Sequence, residues 1–199
     1  MQSMSAPYPV TFTFDPPEKI ANWRPLVHWL LAIPHFVVLY VLGIVSNVVG
    51  FVSWLVILFT GALPEGLANV QVMYIRYSNR VFTYYTFMRE EYPPFTFDMS
   101  PTDPGDDPRV RLDIVPELTN RNRLTCFFRI ILVIPQIIVL FVLWIGGFIA
   151  VVIAFFAVLF TGQWPPGLRD FVIKAMRWGQ RVQTYGLLLT DVYPPFTLD

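Results

Sequence analysis

The stretch EYPPFTFD at residues 91–98 recurs 101 residues later as VYPPFTLD at residues 192–199. The same offset holds upstream: from Phe59 over Phe160 to the ends of these stretches, 17 of 40 positions are identical. Two copies of one unit therefore make up nearly the whole chain. The predicted boundaries are a first copy at residues 1–98, a Pro-, Gly- and Asp-rich linker at residues 99–111 and a second copy at residues 112–199.

The composition is typical of a membrane protein. Hydrophobic residues make up 55% of the chain, charged residues only 14%, and the mean hydropathy is +0.53, whereas soluble domains carry about a quarter charged residues. The deficit comes from two nearly uncharged runs, at residues 25–64 and 132–165. Each exceeds the roughly 18 apolar residues that indicate a membrane segment. We therefore expect an integral protein of the cytoplasmic (plasma) membrane.

Each apolar run is too long for one spanning helix of about 20 residues and slightly short for two. Residues that favour turns stand at the centres of both runs, in LGIVSNVVG and LWIGGFIAV. We therefore predict a transmembrane helical hairpin in each copy, at about residues 25–62 and 126–163. The alternative is a re-entrant wedge that dips into one leaflet.

The placement of positive charge predicts how the hairpins are oriented. All Lys and Arg residues lie outside the hairpin tips, and positive charge favours the cytoplasmic side. Both ends of each hairpin, and with them both chain termini, are expected in the cytoplasm. Because each hairpin returns to its starting side, the copies would be parallel repeats about an axis along the membrane normal.

Short alternating stretches, VTFTFD in the first copy and VRLDIV in the second, predict strands that could pair into one small sheet. The YPPFT segments are candidates for further short strands. The predicted fold class is therefore a mainly α membrane protein with two tandem parallel repeats. Each repeat would hold a transmembrane hairpin, an amphipathic interfacial helix and short β-strands at its ends.

An amphipathic helix is predicted after each apolar run, at about residues 64–90 and 165–191. Its apolar residues recur at spacings of three and four and form a stripe that includes Tyr77 or its counterpart Trp178. Such a helix suits the membrane interface, but the two stripes could equally pack on each other or on a partner protein. Tyr77 and Trp178 are thus candidate interface residues.

Two arginines four residues apart stand on each amphipathic helix, and they are Arg76, Arg80, Arg177 and Arg181. They are candidates for contacts with a partner or with lipid phosphates, which guanidinium groups bind well. The structural alternative, which we favour, is that they cap the sheet by pairing with Asp98 and Asp199.

The two histidines, His28 and His35, lie seven residues apart and so on one face of the first apolar helix. Their counterparts at the 101-residue offset are Arg129 and Gln136. Because polar groups inside membranes are costly and usually face a bundle interior, these four residues are a candidate polar seam between the hairpins. His28 and Arg129 lie near the helix start, where a side chain could instead extend to the headgroups. With no carboxylate or thiol nearby, the histidines are not expected to bind a metal.

Several motifs together resemble an uncharacterised family of bacterial integral membrane proteins. They are AIPH before the apolar run, then FTG-x-x-P-x-GL, R-x-x-x-RV-x-x-Y and YPPF. The family is known only as a domain of unknown function, and the resemblance covers both copies. It implies an integral membrane location and no established enzymatic activity. The first copy departs most from the pattern, at residues 82–85 and 89–91, so the copies are expected to differ in what they contact.

The sequence contains no nucleophile–base set, phosphate-binding loop or carboxylate pair. No enzymatic activity, cofactor or metal is therefore expected, and nothing in the charge distribution indicates nucleic-acid binding. The leading hypothesis is a structural or accessory subunit of a larger membrane complex, with lipids and other membrane proteins or a second copy of itself as partners. The alternative is a lipid- or ion-handling protein that uses the polar seam. An enzyme acting on lipids ranks third.

Overall fold

The computed structural model describes residues 8–198 as a mainly helical fold with a two-stranded sheet. Residues 1–7 and 199, which fall within the predicted copies, lie outside the described residues. Both copies have the same order of a strand, a short helix, a long helix and a third helix. The elements are β1 (Val10–Phe14), α1 (Arg24–Leu31), α2 (Ile33–Thr60), α3 (Glu65–Tyr85), β2 (Val110–Ile114), α4 (Arg123–Phe127), α5 (Arg129–Thr161) and α6 (Pro166–Gly186).

The predicted transmembrane hairpins, at about residues 25–62 and 126–163, are wrong, because α2 and α5 are continuous helices through the expected turns. The small residues at their centres serve other purposes. Asn47 donates to the Gly43 carbonyl of its own helix at 2.7 Å, and Ser46 donates to the side chain of Gln71 on α3. A Cβ on Gly146 would lie 3.1 Å from the Phe171 ring of α6. The turn-like residues therefore permit close helix packing.

The helical hairpins of this fold are instead formed by α2 with α3 and by α5 with α6. The chain turns at Gly61 and Gly162, whose φ angles of 73° and 69° are left-handed and therefore suit glycine. The amphipathic helices predicted at about residues 64–90 and 165–191 are confirmed as helices, but they end at Tyr85 and Gly186. Both pack into the interior, where buried residues cover most faces of α3.

The predicted strands are confirmed, and they pair into one antiparallel sheet in which Phe12 lies opposite Leu112. Further strands at the YPPFT segments are not formed: the described residues there, 92–98 and 193–198, have no strand. Two adjacent prolines lack the N–H groups that a sheet requires.

The two copies are arranged head to tail. The backbone N–H of Ile20 at the start of the first copy donates to the Gly162 carbonyl at the end of α5, at 2.8 Å. In the same way Arg121 donates to the Gly61 carbonyl at the end of α2, at 3.0 Å. Each long helix thus ends where the other begins, so α2 and α5 point in opposite directions. The prediction of parallel repeats about an axis along the membrane normal concerns the orientation in a membrane, and it stays a prediction.

An approximate twofold axis relates the copies and runs across the long helices. Asn79 and Gln180, which occupy equivalent positions, meet on it through a hydrogen bond of 2.8 Å. The pairing of Phe12 with Leu112 lies on the same axis. The strands pack on α3 and α6, and the long helices pack on α3, α6 and the short helices. The sheet and the long helices are therefore held together by the third helix of each copy.

The described residues contain two helices, α2 and α5, that are long and apolar enough to cross a membrane, in place of the four membrane arms that were predicted. Only 17% of the most apolar 18-residue window of each is buried within the molecule. A core helix of a soluble protein would be mostly buried. This gives weak support for a membrane location.

Candidate functional site

The predicted polar seam begins with His28, which is fully buried in the first copy. Its Nδ1 lies 2.8 Å from the Tyr84 carbonyl oxygen on α3. Its ring stacks on the Tyr84 ring with a centroid distance of 4.2 Å. His28 therefore joins α1 to the end of α3.

His35 is also fully buried, in the first turn of α2. Its Nδ1 and the Tyr77 hydroxyl form a hydrogen bond of 2.6 Å, and burial raises the pKa of Tyr77. The rings of Tyr92 and Phe95 complete the surroundings, with centroids 4.6 and 4.3 Å from the His35 ring. We call His28, His35, Tyr77 and Tyr84 the first cluster.

The second copy builds the matching arrangement from different residues. The Arg129 guanidinium lies 3.8 Å from the centroid of the Tyr185 ring. The Gln136 side chain accepts from the Trp178 indole N–H at 2.8 Å and donates to the Pro194 carbonyl at 2.6 Å. We call Arg129, Gln136, Trp178 and Tyr185 the second cluster.

The four residues of the predicted seam, His28, His35, Arg129 and Gln136, are therefore not joined into one path between the copies. Each pair contacts the third helix of its own copy. The predicted interface residues Tyr77 and Trp178 turn out to be the partners of His35 and Gln136, and they are only 1% and 5% exposed. As side chains buried in the free molecule, they are not available to a partner.

The YPPF segments supply the residues that sequence reasoning missed at this site. In the first copy Tyr92 and Phe95 cover His35, and in the second the Pro194 carbonyl accepts from Gln136 while the Phe196 ring meets Trp178 edge on, at a centroid distance of 5.8 Å. The signal was present in the sequence, because YPPFT is the longest identical run of the repeat.

The arginines of the first copy are tied to the protein itself. Arg76 forms ion pairs with Asp98 at 3.6 Å and with Asp103 at 3.2 Å, and Arg80 pairs with Asp103 at 2.9 Å. Burial lowers the pKa of Arg76, although Asp103 opposes that effect. The structural alternative is therefore confirmed for Arg76 and Asp98, and the predicted linker at residues 99–111 contributes the buried carboxylate of Asp103.

The arginines of the second copy are only half-buried. Arg181 donates to the hydroxyl and the carbonyl of Thr197, at 3.1 and 2.6 Å. Arg177 lines an open cavity of about 280 Å³ beside β1, together with Tyr8 and Arg181. The predicted partner Asp199 lies outside the described residues. Contacts of these arginines with lipid phosphates or a partner remain a prediction.

Three further ion pairs, at two places in the molecule, were not predicted. Arg89 and Asp107 are fully buried and form an ion pair with an N–O distance of 2.5 Å. In the second copy Asp191 pairs with Arg121 at 2.8 Å and also with Arg129. Burial acts to raise the pKa of Asp191, but hydrogen bonds from Arg121 and the Asn122 backbone, with the nearby positive charges, outweigh burial and lower the pKa to about 2.

The chemistry available in these clusters is limited. No group of three or more His, Cys, Asp or Glu side chains that could hold a metal ion occurs in residues 8–198. Within the same residues, the Nε2 atoms of His28 and His35 are buried without a hydrogen-bond partner. The Nε atom of Arg129 in the second cluster is likewise buried without a partner.

An open groove of about 400 Å³ lies where α2 of the first copy meets the start of α5 and the end of α6. Its walls are mostly apolar and include Phe51, Trp54, Ile130 and Leu187, and Arg129 also lines it. The groove could accommodate part of an acyl chain.

A protein-family model described as a domain of unknown function, DUF4389, matches the chain twice in tandem, over residues 22–96 and 123–197. The two matches cover most of the chain and agree with the two copies identified by the internal repeat. No curated protein and no solved structure shows significant similarity to the chain.

Proposed function

The chain belongs to the family defined by this domain of unknown function, DUF4389, and holds two copies of the domain. From that premise we propose that it is a non-enzymatic integral membrane protein. We propose further that it serves as a structural or accessory subunit of a larger membrane complex. Its partners would be lipids and other membrane proteins or a second copy of itself. We keep the predicted location in the cytoplasmic membrane, with both termini on the cytoplasmic side, as part of this proposal.

The observation that carries the proposal is the contrast between an apolar exterior and a polar interior. The most apolar windows of α2 and α5 are 17% buried, and large side chains such as Tyr40 and Phe148 are 73% and 69% exposed. An apolar surface of this extent requires cover by lipid or protein. Cover by lipid would account for the membrane location. Cover of part of the same surface by a partner protein would account for the subunit role.

The polar clusters support a scaffold over an ion conduit or an enzyme. His35 and Gln136 are engaged with Tyr77 and Trp178 of their own copies. A conduit needs polar groups that line a continuous path, and an enzyme needs groups that can reach a substrate. Buried and internally paired side chains favour neither role.

The groove between the copies favours lipid handling as the second candidate. It is open and mostly apolar, which suits an acyl chain. In this alternative the two polar clusters would hold the helices that form the groove in place, and no ion or lipid would pass through the clusters.

Native mass spectrometry after mild detergent extraction from the source membrane tests the proposal first. A subunit should co-purify with other proteins at fixed stoichiometry. Recovery of a lone homo-oligomer that retains specific lipids would instead support lipid handling. Recovery in the soluble fraction, without detergent, would contradict both.

A matched pair of variants then separates a scaffold from a conduit. His35→Leu and Gln136→Leu each remove the polar group from one cluster. The complex of a scaffold should still assemble with both variants, at reduced stability. Loss of ion or lipid flux in reconstituted vesicles, from a protein that still assembles, would favour the conduit.

A further inference from the structure

The polar side of the molecule lies beside the middle of the long helices rather than at their ends. We call α1, α2, α4 and α5 the helix layer. Its two ends are marked by the contacts of Ile20 with Gly162 and of Arg121 with Gly61. The approximate twofold axis, on which Phe12 pairs with Leu112, places the sheet midway between those ends.

The outer face of this sheet is polar and exposed. Phe12 and Leu112 point inward and are buried, whereas Thr11, Thr13 and Arg111 are exposed. The irregular segment directly before β2 adds the exposed residue Asp106. Charged side chains and irregular backbone thus stand at the mid-height of the helix layer.

These positions conflict with helices that cross the bilayer. Standing upright, α2 and α5 would extend about 42 and 50 Å at 1.5 Å per residue, against a hydrocarbon core of about 30 Å. The outer face of the sheet, with Arg111, would then lie at the bilayer centre. Exposed irregular backbone and charge are not tolerated there.

We propose that the helix layer lies in the plane of the membrane, embedded in one leaflet, with the twofold axis along the membrane normal and the sheet in water. This inference rests on the membrane location proposed above and specifies its geometry. The occupant of the apolar surface is then the acyl region of a single leaflet, and the chain crosses the bilayer at no point within residues 8–198.

The distribution of exposed residues along α2 fits this orientation. Val37, Val48 and Phe59, near its start, middle and end, are 61%, 59% and 79% exposed, so the apolar surface does not fade toward either end. The exposed cations Lys19 and Arg123 stand at opposite ends of the helix layer, where both could reach the headgroups of the same leaflet.

Spin-label depth measurements test the orientation directly. In a Cys126→Ser background, single cysteines replace Val37, Val48 or Phe59, and Thr13 serves as the matched water-facing position. The labelled proteins are reconstituted in liposomes of phosphatidylethanolamine and phosphatidylglycerol, and accessibility to oxygen and to a nickel chelate gives the depth. The equivalent positions Ile138, Ile149 and Phe160 on α5 repeat the measurement.

For helices in the plane, the three positions on α2 should have the same depth in one leaflet, and Thr13 should be in water. If the label at Val48 is deep and the labels at Val37 and Phe59 are shallow, the in-plane inference is wrong but the membrane location stands. If no label contacts lipid, both the in-plane inference and the membrane location are wrong. Because Cys126 is buried, circular dichroism of the Cys126→Ser background, with Cys126→Ala as the substitute, must first match that of the natural chain.

Sidedness gives an independent measurement. Single cysteines at Lys19 and Arg123 are treated with a membrane-impermeant maleimide in sealed vesicles of one orientation. In-plane helices predict that both positions react from the same side. Reaction from opposite sides would show that the helix layer crosses the bilayer.

Discussion

The two copies use different chemistry at one matched pair of positions to make the same connection. In the first copy His28 stacks on Tyr84, and in the second Arg129 lies over Tyr185. A buried imidazole and a guanidinium differ in charge and shape, but one ties α1 and the other ties the start of α5 to the end of the third helix of its copy. What the two copies have in common is therefore a packing connection rather than a reactive group.

The carboxylates that follow the third helices differ in a similar way. Glu90 and Asp191 are equivalent, and each accepts a hydrogen bond from a backbone N–H at the start of its copy, from Ala21 and Asn122. The Glu90 side chain is 34% exposed and the Asp191 side chain 17%. At this matched position the carboxylate of the second copy is therefore the more buried one, and each of the following variants tests how far the copies differ.

The largest effect is expected at an ion pair that belongs to the first copy alone, because the counterpart of Arg89 is Thr190. Asp107→Ala leaves the buried Arg89 charge unpaired, and we expect a loss of about 3–5 kcal/mol in the free energy of unfolding. Chemical denaturation in detergent micelles measures it. The double variant Arg89→Met/Asp107→Leu should recover part of the loss, and no recovery would contradict the assignment to charge.

The glycines that end the long helices should differ in their tolerance of a side chain. Ala at Gly61 or Gly162 adopts a left-handed conformation that costs about 1–2 kcal/mol. At Gly162 the new Cβ would also lie 2.9 Å from the Ile20 backbone oxygen, whereas at Gly61 it would meet the flexible Arg123 side chain at 3.2 Å. Gly162→Ala should therefore cost a further 1–3 kcal/mol or so. Equal unfolding midpoints would contradict this difference.

The Asp191 carboxylate predicts a pH dependence of stability. Its folded pKa of about 2 lies below the unfolded value, so its contribution is present above pH 4 or so and is lost as the pH falls toward 2, with a total of about 2 kcal/mol. Unfolding of the natural chain and of Asp191→Asn, measured across this range, should show a dependence that is smaller in the variant by about this amount. Glu90→Gln is the matched control, and an equal change there would contradict the contrast between copies.

The smallest effect is expected when the polar residues of the clusters are exchanged. His35→Gln and Gln136→His each keep a polar partner for Tyr77 or Trp178, so a loss below about 1.5 kcal/mol is expected. His35→Leu should cost more, because it leaves the Tyr77 hydroxyl buried without its partner. Thermal unfolding in detergent measures all three. A greater loss for His35→Gln than for His35→Leu would contradict a packing role.

The sequence predicted much of the fold because its signals were periodic. The offset of 101 residues located both copies, alternation located both strands, and spacings of three and four located α3 and α6. The hairpin prediction failed because Gly, Ser and Asn favour turns and also permit close helix contacts. In LGIVSNVVG the contact of Ser46 with Gln71 favours a close helix contact over a turn. That contact depends on a residue 25 positions away in the sequence.

At the candidate site the residue positions were predictable but their partners were not. His35, Gln136, Tyr77 and Trp178 were all identified from the sequence, in two different hypotheses, and the structure pairs them across two helices. Only the antiparallel packing of α2 on α3 brings those positions together. The buried Asp103 lies in a segment whose Pro and Gly content indicated a linker. Composition alone could not show that this residue forms an ion pair with α3.

The head-to-tail contacts also bear on how such a chain could have arisen. A single copy would leave one edge of its strand without a neighbour, and the carbonyl at the end of its long helix without the N–H that Ile20 or Arg121 now supplies. Two separate copies related by a twofold axis would satisfy both needs at once. The present chain is thus the covalent equivalent of a symmetric homodimer, and fusion of the halves freed matched positions such as His28 and Arg129 to diverge independently.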